Sequence, residues 1–283
     1  MKLEEWKKSG EYLRYQDWRI FYKEDGKGDP LVLIHGFPTA SWDWEKIWEP
    51  LARRYRLIAS DMLGFGFSSK PSIDYSIFLQ ADIIEKLLNE LGIEEGSVLA
   101  HDLGDTVAQE LLARFIDREK AGLSGFKIKK MILLNGGVFP ESHRPRLIQK
   151  LLHSPLGWIL SRLISRGSFQ KSFSAVFGEN TKPTSAELED FWNLVSSDGG
   201  TKISHRLIRY IAERKTNRER WVGALLNSPI PIKMINGVAD PVSGAHLVAR
   251  YRELAPNADI VELNGIGHYP QVESPSDVLK AIF

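Results

Sequence analysis

The chain contains no cysteine. Disulfides, thiolate metal sites and a cysteine nucleophile are thereby excluded, while the compartment is left open. Surplus charge is equally scarce. The 37 Lys and Arg are balanced by 36 Asp and Glu, a formal net charge of +1. No global field therefore draws the chain to nucleic acid or to an acidic membrane. No uninterrupted apolar run approaches the ~20 residues that span a bilayer. The charged stretch Met1 to Ser9 also lacks the apolar centre of a secretion signal. Nor does any Gly-x-Ser-x-Gly occur, which removes the usual serine elbow. These absences read as a soluble, cytoplasmic protein with no nucleic-acid partner and no membrane segment, a monomer or homodimer.

What is present is organised around Leu99-Ala100-His101-Asp102-Leu103-Gly104. An apolar run, Ser97 to Ala100, leads into it. Val107, Ala108, Leu111, Leu112 and Phe115 leave it at helical spacing. Strand, tight turn and helix is the context of a nucleophile elbow, whose strained bend has room only for small residues beside the reactive one. Ala100 and Gly104 are small, so the central residue is Asp102. An N-cap is the plainer reading of an aspartate there, but two partners downstream favour function.

The rest of the chain supplies the frame. Residues 11 to 23 alternate as a hairpin. Gly26 to Pro30 reads as a turn. Leu31 to Ile34, Arg56 to Ser60, Ile128 to Leu134, Ile232 to Asn236 and Ile260 to Leu263 are short apolar runs of parallel-sheet type. Helical patterns separate them, one of them carrying Ile83, Ile84, Leu87, Leu88 and Leu91 before Gly92. From about Phe139 to about Leu226 no buried strand is legible. Aromatics and helical patterns fill the interval, which predicts an inserted helical cap. The expected fold is α/β, with a mostly parallel eight-stranded sheet. Residues 1–138 and 227–283 form its core and 139–226 the cap. The length suits one such domain.

Two further residues lie just past strand carboxyl ends, where open α/β sheets place their sites. They are Asp240, in Gly237-Val238-Ala239-Asp240-Pro241, and His268, in Gly265-Ile266-Gly267-His268-Tyr269-Pro270. Nucleophile, acid, histidine is the order of the α/β-hydrolase triad. A carboxylate at a helix N-terminus is favoured in its ionised form and attacks an electrophilic carbon without a base. The product is an ester of Asp102. His268 then activates the water that hydrolyses the ester, and Asp240 orients the imidazole. Backbone N–H groups of Phe37 and Leu103 are placed to form the oxyanion hole. This chemistry needs no cofactor and no metal.

These motifs resemble the α/β-hydrolase superfamily, specifically its aspartate-nucleophile branch of epoxide hydrolases and haloalkane dehalogenases. His35-Gly36-Phe37-Pro38 looks like the HGxP signature of the epoxide hydrolases. A more specific resemblance, to the vertebrate mesoderm-specific transcript family, is carried by several segments. They are His101 to Asp105, Val107 to Leu112, Asn135 to Glu141, His143-Arg144-Pro145 and Trp221 to Leu225. The family's relatives carry membrane segments that are not read here.

Departures bear on the substrate. Haloalkane dehalogenases follow the nucleophile with tryptophan and often place asparagine after His-Gly, so that two N–H donors hold the halide. Here those positions are Leu103 and Phe37. Fluoroacetate dehalogenases carry arginine after the nucleophile, and it is absent too. Epoxide hydrolases protonate the epoxide oxygen with cap tyrosines, and the expected cap holds one, Tyr210. The resemblance therefore implies an epoxide hydrolase-like enzyme taking a small apolar substrate and water. A dehalogenase-like hydrolase, or a non-catalytic binding protein on the same fold, is the alternative. A tyrosine hydroxyl opposite Asp102 favours epoxides, and two N–H donors favour halides. Trp42, Tyr210, Asn135 and Trp221 are the candidate substrate-binding residues, Asn135 alternatively positioning Asp240 or water. His101 is expected to pack below the elbow and Asp105 to serve the helix terminus. Glu141, His143 and Arg144 are expected at the cap entrance. Arg206, Arg209, Arg214, Lys215, Arg218 and Arg220, interspersed with Glu213 and Glu219, read as a solvated cap face.

Overall fold

The apolar runs become the centre of one sheet because neighbouring residues bury on opposite faces. The computed structural model describes residues 1–283. The strands are β1 (Glu11–Tyr15), β2 (Trp18–Asp25), β3 (Asp29–Ile34), β4 (Tyr55–Ser60), β5 (Glu95–His101), β6 (Lys127–Leu134), β7 (Ile232–Gly237) and β8 (Asp259–Leu263). Their order is β1-β2-β4-β3-β5-β6-β7-β8. The pairs β1/β2 and β2/β4 are antiparallel and the others parallel. In β3, Val32 and Ile34 join one apolar layer and Leu31 and Leu33 the other. β5 does the same with Val98 and Ala100 against Leu99. A strand covered on both faces reads as continuously apolar.

Four helices of the core are α1 (Leu3–Lys8), α2 (Glu45–Ala52), α3 (Ile77–Glu90) and α4 (Leu103–Ala121). The α1 and α2 side carries Trp6, Trp44 and Trp48, all buried, while α3 and α4 cover the opposite face. Ser41–Trp44 is a 3-10 turn before α2 rather than its first turn. Asp29 and Pro30, expected in a turn, already pair with β4. The 14-residue α3 begins on Ser76, whose side chain caps the Leu79 N–H.

Between β6 and β7 the chain forms only helices, from Leu147–His153 to Arg218–Leu226. The last of these packs along α4. The buried Trp221 indole donates to Glu110 Oε2 at 2.8 Å, and Arg220 Nε donates to the same oxygen at 2.8 Å. Arg218–Leu226, the last helix of the interval expected as cap, thus lies against α4. An amphipathic helix carries no mark of which surface it covers, so the sequence pattern runs straight on through it.

β3, β5, β6, β7 and β8 are consecutive in the sheet and parallel. Their carboxyl ends therefore gather His35 to Pro38, Asp102, Asn135, Asp240 and His268 along one edge.

Candidate active site

Asp102 is the link between β5 and α4, with φ 48° and ψ −107°. A non-glycine residue in this region costs on the order of 1–3 kcal/mol and persists only where its surroundings fix it. The fixing bonds are visible. Asp102 N donates to Leu134 O at 3.1 Å, and Arg214 Nη2 donates to Asp102 O at 2.9 Å. Gly104 is required beside the bend, because a Cβ there would lie 2.2 Å from Ile34 O. The small-residue pattern thus reflects α4 pressed onto the end of β3.

The Asp102 carboxylate accepts a hydrogen bond from Phe37 N, 3.0 Å from Oδ2. Of the two amides expected in the oxyanion hole, Phe37 N therefore reaches the carboxylate. Leu103 N forms no hydrogen bond to it. His268 lies across the same cavity, and its Nδ1 donates to Asp240 Oδ2 at 2.7 Å. Asp240 is held in turn by Asn135 Nδ2 (3.0 Å), Ser243 Oγ (2.7 Å) and Val242 N (2.7 Å). Asn135 Oδ1 accepts from Gly237 N at 2.7 Å, so Asn135 ties β6 to β7 and aims Asp240. Ser243 was not singled out from the sequence. Its place three residues after an Asp-Pro turn is the signal that would have found it.

Burial pulls the His268 imidazole down, but the Asp240 carboxylate outweighs burial and Asp102 adds to it, raising the pKa to about 9. Burial likewise raises Asp240, yet His268 and the donors around it bring the pKa to about 2. His101 packs beneath the elbow as expected, its Nε2 2.7 Å from His268 O, and burial lowers its pKa to about 3. His143 is lowered to about 4 by burial and by Arg214.

The signs of these shifts set a pH dependence of stability. His268 is raised above its ordinary 6.5, so its contribution is complete below that pH and is lost as pH climbs through about 9. His101 and His143 are depressed, so theirs is complete above 6.5 and is lost as pH falls toward 3 to 4. Melting temperature is expected to peak between pH 6 and 7, a range set by the ordinary histidine pKa of ~6.5. His268→Gln should flatten the alkaline limb, a change on the order of 1–3 kcal/mol between pH ~6.5 and ~9. Thermal melts of both proteins across that range measure it.

Asp102 and His268 share a cavity of about 170 Å³. Its wall is mainly apolar: Pro38, Ile148, Leu152, Ile164, Phe169, Phe173, Val176, Val195, Val242 and the ring of Tyr269. Phe37 lies at the same end as Asp102. The Tyr269 hydroxyl is turned to Phe37 O at 3.3 Å.

The candidate substrate-binding residues separate. Tyr210 does not line the cavity; it is buried close to the elbow, its ring 6.1 Å from that of Phe37 and 4.5 Å from the Arg214 guanidinium carbon. Its hydroxyl has no hydrogen-bond partner. Burial and then the Asp102 carboxylate push its pKa up, so the phenol keeps its proton. Trp42 does not line the cavity. It packs on Phe191 with ring centroids 5.2 Å apart, and its Nε1 donates to Met1 O at 3.3 Å. Trp221 faces α4, as described above. Asn135 meets Asp240 rather than the cavity wall. Tryptophans at an amphipathic position bury against whatever surface the fold presents, and only coordinates distinguish wall from core.

The basic stretch divides in the same way. Arg206 and Arg209 pair with Asp74, Arg218 with Glu141, and Arg220 with Glu110 and Asp117. Arg214 does not belong to that face. It is 2% exposed, its Nε donates to Thr106 Oγ1 at 2.6 Å, and its Nη2 stands 3.7 Å from Asp102 Oδ1. Its Nη1 has no partner, nor has either ring nitrogen of His143. Gly137 makes room for the guanidinium, since a Cβ there would lie 2.3 Å from Nη1. Asp105 is also more than a helix-terminus charge. It is fully buried, and burial and Asp102 push its carboxyl well above the usual range against the pull of Arg214. Glu141 accepts from both Arg218 and Arg250, fastening the segment after β6 to two helices.

A family model described as alpha/beta hydrolase fold matches residues 29–275. The mesoderm-specific transcript protein of Mus musculus is 45% identical over 291 residues, covering 99% of this chain and 86% of that protein. A haloalkane dehalogenase loop variant from Bradyrhizobium elkanii superposes with a TM-score of 0.80 at 20% identity, over 97% of this chain and 94% of its own. Epoxide hydrolase CorEH superposes with a TM-score of 0.75 at 19% identity, over 96% of each chain. At such identities these two structures establish a shared fold.

Proposed function

The chain belongs to the α/β-hydrolase fold family, and from that membership we propose that it is an epoxide hydrolase-like enzyme working through an ester of Asp102. One observation carries the reading. The Asp102 carboxylate and His268 open onto the same apolar cavity, with Asp240 fixed behind the imidazole. An oxygen of Asp102 attacks an epoxide carbon, a C–O bond forms and the ring C–O bond breaks. The alkoxide takes a proton from Tyr210, whose buried hydroxyl is otherwise unbonded. Arg214, beside that phenol and the nucleophile, offsets the negative charge that moves between them.

Esterification neutralises Asp102, one of the charges that hold the imidazolium. The His268 pKa then falls, its proton passes by way of solvent to the Tyr210 phenolate, and the neutral base is present when the second half-reaction needs it. His268 takes a proton from water, and the hydroxide adds to the Asp102 carbonyl carbon. Phe37 N, already on Oδ2, stabilises the resulting oxyanion. Collapse breaks the ester C–O bond, the departing oxygen takes the proton of the added hydroxyl, and the diol leaves with Asp102 ionised and His268 protonated, as at the start.

Leu103 and Phe37 stand where dehalogenases hold halide by side-chain N–H donors. A halide in a dry pocket without such donors is a poor leaving group, whereas an alkoxide met by a phenol and a guanidinium is not. A panel of terminal and internal alkyl epoxides tests the proposal. In one turnover in heavy-oxygen water the label should enter the Asp102 carboxylate, and the diol should stay unlabelled. Label in the first-turnover diol instead would mean direct attack by water and would reject the ester. Tyr210→Phe is expected to lower kcat by ~10²-fold or more with little change in KM, as for loss of a general acid, in steady-state assays on an accepted epoxide.

A further inference from the structure

Twelve large apolar side chains are exposed in the whole molecule, and seven of them fall between residues 147 and 163. They are Leu147, Ile148, Leu151, Leu156, Trp158, Ile159 and Leu163, with Leu147 72% and Leu163 70% exposed. Three short segments carry them: Leu147–His153, Gly157–Leu160 and Ser161–Leu163. These pack on one another and on Gly200–Leu207, so the exposed residues form one patch. A contiguous apolar surface on a chain that is otherwise balanced marks an interaction site.

Its charge identifies the partner. From Ser142 to Gly178 there is no acidic residue, while Arg144, Arg146, Lys150, Arg162, Arg166 and Lys171 are present. Only Arg166 of these six forms an ion pair, with Glu189. Trp158 sits within the patch, its ring 5.5 Å from the Arg162 guanidinium carbon. Exposed apolar side chains, a tryptophan with a cation beside it and further unpaired cations in one segment match an anionic bilayer surface. A second copy of the chain matches badly, because a two-fold contact would bring two positive patches face to face. The patch also reaches the cavity: Ile148 is exposed and lines it, beside Arg146 and Leu152.

We propose that this patch docks the enzyme on anionic lipid membranes, with the cavity mouth at the bilayer surface, so that apolar substrate enters from the lipid. The docking rests on the patch alone, and only the delivery of substrate rests on the reading of Asp102. No helix here is long and apolar enough to cross a membrane, so the contact is peripheral.

Sedimentation with vesicles of phosphatidylglycerol and phosphatidylcholine tests it, with phosphatidylcholine alone as control. The full chain should partition at least ~10-fold more onto the anionic vesicles, and half-molar salt should erase the difference. Leu147→Asp, Trp158→Asp and Leu163→Asp together should cost ~10-fold or more. These side chains are exposed, so the melting temperature should hold, and Lys150→Glu with Arg162→Glu gives a second, charge-only variant. Asp102→Ala should bind vesicles like the parent, which separates failure of docking from failure of the catalytic reading. Absence of vesicle binding would overturn the proposal, as would binding unchanged in both patch variants. A dimer in light scattering that the apolar variant dissolves, without vesicle binding, would reassign the patch to a second copy.

Discussion

Asp102→Ala is expected to stop turnover, by on the order of 10⁴-fold or more, because it removes the atom that forms the ester in the proposed mechanism. The loss should lie in kcat, since the apolar cavity wall that holds the substrate is untouched. Two secondary effects need separating from it. Alanine tolerates a φ of 48° less well than aspartate does, so some stability is lost at the bend. Arg214 also loses the carboxylate 3.7 Å from its Nη2. Asp102→Asn keeps the backbone preference and the side-chain shape, and should be as inactive as the alanine variant while melting nearer the parent. Steady-state rates with thermal melts of all three proteins measure this. Activity within tenfold of the parent in either variant would mean that another group attacks.

His268→Gln should produce a different defect of similar size. Its first half-reaction survives, because an ionised carboxylate needs no base. Its second half-reaction lacks the group that deprotonates water, and steady-state turnover should fall by on the order of 10³-fold or more. The ester then accumulates. Intact-mass spectrometry after mixing with an accepted epoxide should show one substrate mass added to the chain, and peptide mapping should place it on Asp102. Asp240 stays in position in this variant, held by Asn135, Ser243 and Val242, so the trap reports on the base and not on a collapsed site. A variant that is slow yet gathers no adduct would show that His268 serves the first step. The double variant with Asp102→Ala should gather none by construction.

Much of this site was legible because it depends on local rules. The elbow announces itself through small residues, and Gly104 against Ile34 O gives the steric reason. Asp240 and His268 each follow a short apolar run, and chain order gives them the parts proposed above. Tyr210, the one tyrosine between residues 139 and 226, is legible as a candidate, and the fold buries it beside Arg214 and outside the cavity lining. Trp42 and Trp221 were misplaced for a common reason. An aromatic residue on an amphipathic segment buries equally well against Phe191, against α4 or against a substrate. Arg214 was hidden among arginines that do face solvent, and it meets Asp102 across 112 residues of chain.

The sequence by itself determined the doubly covered sheet, the bend that carries Asp102 and the order of the three residues around it. The first two are written in spacings of two to four residues, the range over which backbone sterics and periodic burial act, and the third in plain chain order. Tertiary structure alone decided which cation reaches Asp102, which aromatics line the cavity and which helix packs along α4. Those outcomes depend on packing between segments 100 or so residues apart, and no local pattern encodes which of several equivalent side chains is the one enclosed.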